Sequence, residues 1–268
     1  MSHQCAFIGV EGAHDQTFIR KVLEKALGFT VFGGKQEDLA KINPVWTCFI
    51  PSFPRGGDLY KRLDMPSILH KGNLSVAIYD SEGKDGLIGN TPKKLKVLLS
   101  NNPELLEQLI AFAIIADADK DSVVNVARSY SESKRIKSLF PDFTNTQHCL
   151  GQVIEGIPRL GLYILPNNKD QGVVDTIICQ CGEAVYSDYM KRADDYLKKF
   201  SNSERLALGW GDFSLEKARI ATVASILKPG RANAATISDN DWVSEKTLTE
   251  LPDMQQLIQF LRDLLEPN

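Results

Sequence analysis

The run Ala111-Phe112-Ala113-Ile114-Ile115-Ala116, with Asp117-Ala118-Asp119-Lys120-Asp121 directly behind it, is the most informative segment of this chain. An unbroken apolar run bounded by turn-forming acids marks a strand buried on both faces, as in a parallel sheet. Ser122 then stands as an N-cap for a helix through Val123, Val124, Val126 and Ala127. The same pattern recurs at the start. Cys5-Ala-Phe-Ile-Gly-Val10 runs into Glu11-Gly12, and a helix follows from near Asp15. Its Phe18, Ile19, Val22, Leu23, Ala26 and Leu27 repeat at the spacing of an amphipathic helix packed on a sheet.

Working outward, Leu160-Gly-Leu-Tyr-Ile-Leu165 is a further strand, ending in the loop Pro166 to Gly172. Val45 to Ile50 and Leu74 to Tyr79 have strand composition, and Pro51-Ser-Phe-Pro-Arg-Gly-Gly57 is a loop. Helices are expected over about 91–110, 173–182, 187–203, 214–228 and 253–265. The last opens at Pro252 and carries Met254, Leu257, Ile258, Leu261, Leu264 and Leu265 as its apolar stripe. Residues 229–250 look like a long loop. The expected fold class is α/β, a mainly parallel, Rossmann-like sheet flanked by helices with a helical C-terminal region. One domain over 1–228, with a strand-rich insertion at 28–90, would carry the 229–268 loop and helix on the same body.

Composition excludes several classes. Lys plus Arg 31 against Asp plus Glu 34 gives a net charge of −3, which is no polybasic nucleic-acid coat. No apolar run reaches the roughly 20 residues of a membrane span, so no membrane partner is expected. The short apolar stretch behind Met1 lacks a positive flank, and the expected location is the cytoplasm. Five scattered cysteines fit reduced thiols; His148-Cys149 with Cys179 and Cys181 lacks zinc-finger spacing.

The carboxylates carry the chemistry. Glu11 follows one strand, and Asp117 and Asp119 follow another; in open α/β sheets ligands bind beyond such strand ends. Alternation along an extended chain end would turn Asp117 and Asp119 to one side. If the two strands are neighbours, three carboxylates converge into an oxygen-rich cluster suited to Mg²⁺. Plain readings stand beside this one. Asp117, Asp119, Asp121 and Asp175 also suit helix starts, Lys217 suits a solvated helix face, and His14 suits the surface. Asp117 to Asp121 is not an EF-hand, because Ser122 and Arg128 stand where glycine and glutamate are needed.

Val10-Glu11-Gly12 at a strand end, Asp15 and Phe18 opening a helix, and Asp117-Ala118-Asp119 at a second strand end together resemble the Toprim domain. That is the metal-binding catalytic domain of topoisomerases, DnaG-type primases and the overcoming-lysogenization-defect (OLD) nucleases. The resemblance implies that Glu11 is a general acid/base or ligand and that Asp117 and Asp119 hold Mg²⁺, with Asp121 matching a third acid. Pro166-Asn167-Asn168, Gly172-Val173-Val174-Asp175 and Lys217-Ala218 further resemble a poorly characterised Toprim-like family related to the OLD nuclease domain, over about 1–228. Asp175 stands where that pattern usually has Glu, keeping the charge and shortening the reach. Lys217 matches a lysine near the metals.

The resulting expectation is Mg²⁺- or Mn²⁺-dependent nuclease chemistry on DNA or RNA, with one ion or two about 4 Å apart. Glu11 would move a proton and Lys217 would stabilise developing charge. Glu11, Asp117, Asp119, Asp121 and Asp175 would hold metal, and Arg55 and Arg231 would contact phosphate. No tyrosine lies in a topoisomerase nucleophile motif, and no primase zinc ribbon is visible. Only modest basic clusters appear, at Lys93-Lys94 with Lys96, Lys134-Arg135 with Lys137, and Arg192 with Lys198-Lys199. The alternative is a non-catalytic Toprim-like nucleotide-binding or protein-interaction module. A sugar transferase using Asp-X-Asp has no supporting nucleotide-sugar pocket in the sequence.

Overall fold

A computed structural model describes residues 3–34, 36–49 and 66–266. Among these, the strands are β1 (Gln4–Val10), β2 (Thr30–Val31), β3 (Ser67–Lys71), β4 (Leu74–Asp80), β5 (Leu109–Asp117), β6 (Val153–Ile154) and β7 (Arg159–Leu165). They form one sheet in the order β2-β3-β4-β1-β5-β7-β6. β4, β1, β5 and β7 run parallel, with Val10 opposite Asp80 on one side and Ile115 on the other. β2 and β3 at one end of the sheet and β6 at the other pair antiparallel, so the described strands of the 28–90 region belong to the same sheet.

The helices are α1 (Ala13–Leu27), α2 (Gln36–Ile42), α3 (Lys84–Asn101), α4 (Glu104–Gln108), α5 (Val123–Ser131), α6 (Lys134–Lys137), α7 (Val174–Val185), α8 (Ser187–Leu197), α9 (Asn202–Ala207), α10 (Ser214–Leu227), α11 (Asn233–Asp239), α12 (Glu245–Glu250) and α13 (Pro252–Leu265). Both faces of the sheet are covered, which is why its central strands need unbroken apolar sequence. Ala111, Ala113 and Ile115 join Ala6, Ile8 and Val10 under α1, α7, α10 and α13. Phe112, Ile114 and Ala116 join Phe7 on the other face, under α3, α5 and α6. The ring of Phe260 packs against Gly161 of β7, where an added Cβ would lie 2.7 Å from it.

Several expectations change. Pro44–Phe49 is a 3₁₀ turn rather than a strand. Its Trp46 is buried, but its indole N–H is satisfied by Ser75 Oγ at 2.8 Å instead of by a ladder position. The 91–110 helix starts earlier, at Lys84, and breaks at Asn102–Pro103 before α4. The 187–203 helix ends at Leu197, and α9 is separate. Residues 229–250 are not a loop: α11 buries Thr236 and Ile237, α12 buries Thr247, and Trp242 and Val243 are buried in the connection between them. Ser244 caps α12 by accepting the Thr247 N–H. No helix among the described residues is long and apolar enough to cross a membrane.

Candidate active site

The helices that leave β1 and β7 pack on one face, and those that leave β4 and β5 on the other. Neighbouring chain exits therefore diverge above β1, β5 and β7, opening the crevice where ligands bind in open α/β sheets. Glu11 stands at the exit of β1 and Asp117 is the last residue of β5. The two are locked together. Glu11 Oε1 accepts the Asp117 N–H at 3.1 Å and the Tyr130 O–H at 3.1 Å. Asp117 Oδ1 accepts the Val174 N–H at 2.8 Å, at the N-terminus of α7, where the helix dipole favours an anion.

A third acid completes the crest, one the sequence reading placed only at a helix start. Asp15, in the first turn of α1, is 5% exposed. Its Oδ2 accepts the Gly12 N–H at 3.1 Å, while its buried Oδ1 has no donor. Burial and mutual repulsion act on all three groups. Burial first, then Glu11, pushes the Asp15 carboxyl up to about 7. Burial, then Asp15 and Glu11, raises Asp117 well above the usual carboxylate range. Burial also raises Glu11, against the lowering effect of the two bonds it accepts.

The other candidates surround this crest. Asp119 follows through a left-handed turn (φ 52°) and pairs with Gly172, its N–H to Gly172 O at 2.9 Å and its C=O from Gly172 N–H at 3.0 Å. The acids thus converge by a turn rather than by strand alternation. Asp175, in the first turn of α7, is 3% exposed and faces His14 Nδ1 at 3.4 Å, which raises the imidazole's pKa. Lys217, near the start of α10, lines a cleft of about 310 Å³ together with Asp119, Lys120, Asp121, Val173, Asp212 and Phe213. Asp121 is exposed and pairs with Lys84 at 3.7 Å; Lys120 pairs with Asp212 at 3.0 Å.

Arg231 is not part of this grouping. It follows the C-terminal end of α10, and the ten residues from Lys217 to Leu227 carry the chain about 15 Å along that helix away from Lys217. Arg55 lies outside the described residues. Cys179 and Cys181 are buried in the core, where desolvation pushes both thiols up to about 12 and leaves them inert. Asp15, Tyr130 and Lys84 are additions to the sequence reading. The signal for Asp15 was its place one turn after Glu11; Tyr130 and Lys84 had none.

The donor set is hard carboxylate oxygen, the chemistry that Mg²⁺ and Mn²⁺ prefer. The orphaned Asp15 Oδ1 fits a cation acceptor. Among the described residues, however, no three Asp, Glu, His or Cys side chains are arranged as a ready metal cage. One oxygen each of Glu11, Asp15 and Asp117 is already engaged by an N–H or O–H donor.

A crystal structure of a hypothetical protein from Pyrococcus horikoshii OT3 is similar, 20% identical over 97% of this chain and 95% of that one, with a TM-score of 0.47. No curated protein matches the chain. A family profile described as a protein of unknown function (DUF3226) matches residues 6–266, nearly the whole chain, which therefore belongs to the DUF3226 family.

Proposed function

We propose that the acidic crest is a Mg²⁺- or Mn²⁺-dependent phosphodiester site of the Toprim kind, and that the protein is a nuclease acting on DNA or RNA. One observation carries this reading. Glu11 and Asp117 at the strand ends and Asp15 in the first turn of α1 are packed together, and Asp15 Oδ1 lacks any donor. Burying mutually repelling carboxyls is costly unless a cation or a proton joins them. Glu11, Asp15 and Asp117, with Asp119, Asp121 and Asp175 around them, would hold the ion. A bound divalent ion would supply charge neutralisation at the phosphate and a more acidic water.

The protein's own groups supply the rest. Tyr130 and the Asp117 N–H orient Glu11 to accept or return a proton at its free oxygen. Lys217 places a positive charge on the cleft wall, where it can offset charge developing on phosphoryl oxygens. His14 and Asp175 form a pair at the rim of the same site. The absence of a ready cage among the described residues favours a second reading, a non-catalytic nucleotide-binding or interaction module.

Cleavage of plasmid, single-stranded DNA and RNA with Mg²⁺ or Mn²⁺, wild type beside Asp119→Ala, separates the two. Metal-dependent cleavage by wild type that the variant loses supports the nuclease. Equal activity in both proteins, or none in either, overturns it.

A further inference from the structure

We infer that Lys84 is a second phosphate-binding cation of this site, gripping the polynucleotide backbone from the wall opposite Lys217. This rests on the nuclease reading above. Lys84 is the first residue of α3, on the sheet face that carries Leu87, Leu95 and Leu98. Lys217 belongs to α10, whose Ile220 and Val223 pack on the other face. The two lysines therefore flank the crest of acids from opposite sides of the sheet.

The backbone fixes Lys84 beside the crest. Gly83 at the N-cap has φ 102°, a conformation open to glycine, and its N–H donates to the Glu11 carbonyl at 2.7 Å. That bond ties the start of α3 to the exit of β1. The Lys84 ammonium lies near enough to Glu11 to oppose the rise in its pKa, yet its closest acidic partner is the exposed Asp121 at 3.7 Å. An ion pair that loose and that solvated contributes little to folding. Lys84 is about one-third exposed, so its head is free to exchange Asp121 for an incoming phosphate. Lys120, by contrast, is held at 3.0 Å by Asp212.

The test is fluorescence anisotropy of labelled single-stranded and duplex oligonucleotides with Ca²⁺ in place of Mg²⁺, from about 50 to 200 mM salt. The proteins are wild type, Lys84→Ala, Lys84→Gln, Lys84→Arg and Lys25→Ala. Lys25 is an exposed lysine in the last turn of α1, at the other end of that helix from the crest. Loss of one phosphate contact is expected to weaken binding about 5- to 10-fold for Lys84→Ala and Lys84→Gln, whatever the sequence. It should also reduce the salt slope by about 0.7–0.9, with Lys84→Arg and Lys25→Ala close to wild type. Wild-type affinity and slope in Lys84→Ala and Lys84→Gln, while wild type binds and cleaves, overturn the role of Lys84 alone. An equal loss in Lys25→Ala overturns it too, since net charge then explains the effect. No binding by wild type overturns this inference together with the nuclease reading.

Discussion

Replacing Asp15 with Asn isolates the electrostatic stress stored in the crest. Burial and Glu11 push the Asp15 carboxyl from 3.8 up to about 7 in the folded protein. A folded value above the unfolded one means that the native state binds the proton more tightly. This group's stabilising effect is then full below about pH 4 and is lost as pH rises towards 7. From 3.8 to about 7, at about 1.4 kcal/mol for each tenfold in proton affinity, the loss approaches about 4 kcal/mol at pH 8. Asn keeps an acceptor for the Gly12 N–H and remains neutral at every pH. Asp15→Asn is therefore expected to stabilise the metal-free protein by about 4 kcal/mol at pH 8, and by less than half of that at pH 5. In a chain of 268 residues, 1 kcal/mol corresponds to about 2 °C in Tm, so the gain at pH 8 is about 7–8 °C. Scanning calorimetry in a chelator at the two pH values measures it. A variant no more stable than wild type at pH 8, or a gain equal at both, refutes the description of Asp15 as an uncompensated buried acid.

Tyr130→Phe removes the O–H bond to Glu11, an interaction with a carboxylate worth about 1.5–3 kcal/mol. Because that bond holds the Glu11 pKa down, its loss should move the acidic limb of the cleavage pH profile upward; an unmoved limb contradicts the role given to Glu11. Gly86→Ala would bring a Cβ to 1.6 Å from the Ser81 carbonyl oxygen, forcing the turn between β4 and α3 to shift. The expected cost is at least about 3 kcal/mol in Tm-derived stability, with polynucleotide affinity lost although Lys84 is intact. A wild-type melting curve would show that the turn is less constrained than the packing indicates.

The apolar runs at 5–10, 111–116 and 160–165 stand as β1, β5 and β7. Strands buried on both faces contain no polar interruption, so they are the clearest signal in such a sequence. Val45 to Ile50 has the composition of a strand because Trp46 must be buried, but burial there comes from a turn that starts at Pro44 and docks on Ser75. The short helices α11 and α12, 7 and 6 residues long, carry too few apolar positions to show a period. At the candidate site, Glu11, Asp117 and Asp119 could be singled out from their places behind apolar strands. Asp15 was marked only by its place one turn after Glu11; its burial was not legible, because an acid in the first turn of a helix is also an ordinary cap. Tyr130 reaches Glu11 across 119 positions of sequence, a meeting that no local pattern encodes.

Whether the crest takes up a divalent cation is tested most directly by isothermal titration calorimetry with Mn²⁺, on wild type and Asp117→Asn, in two buffers of different ionisation enthalpy. The raised carboxyls must give up protons when the ion binds. Wild type is expected to show saturable binding with net proton release near pH 6.5, and Asp117→Asn to lose both. Binding that is absent in wild type, or the same in both proteins, would contradict a metal site at this crest.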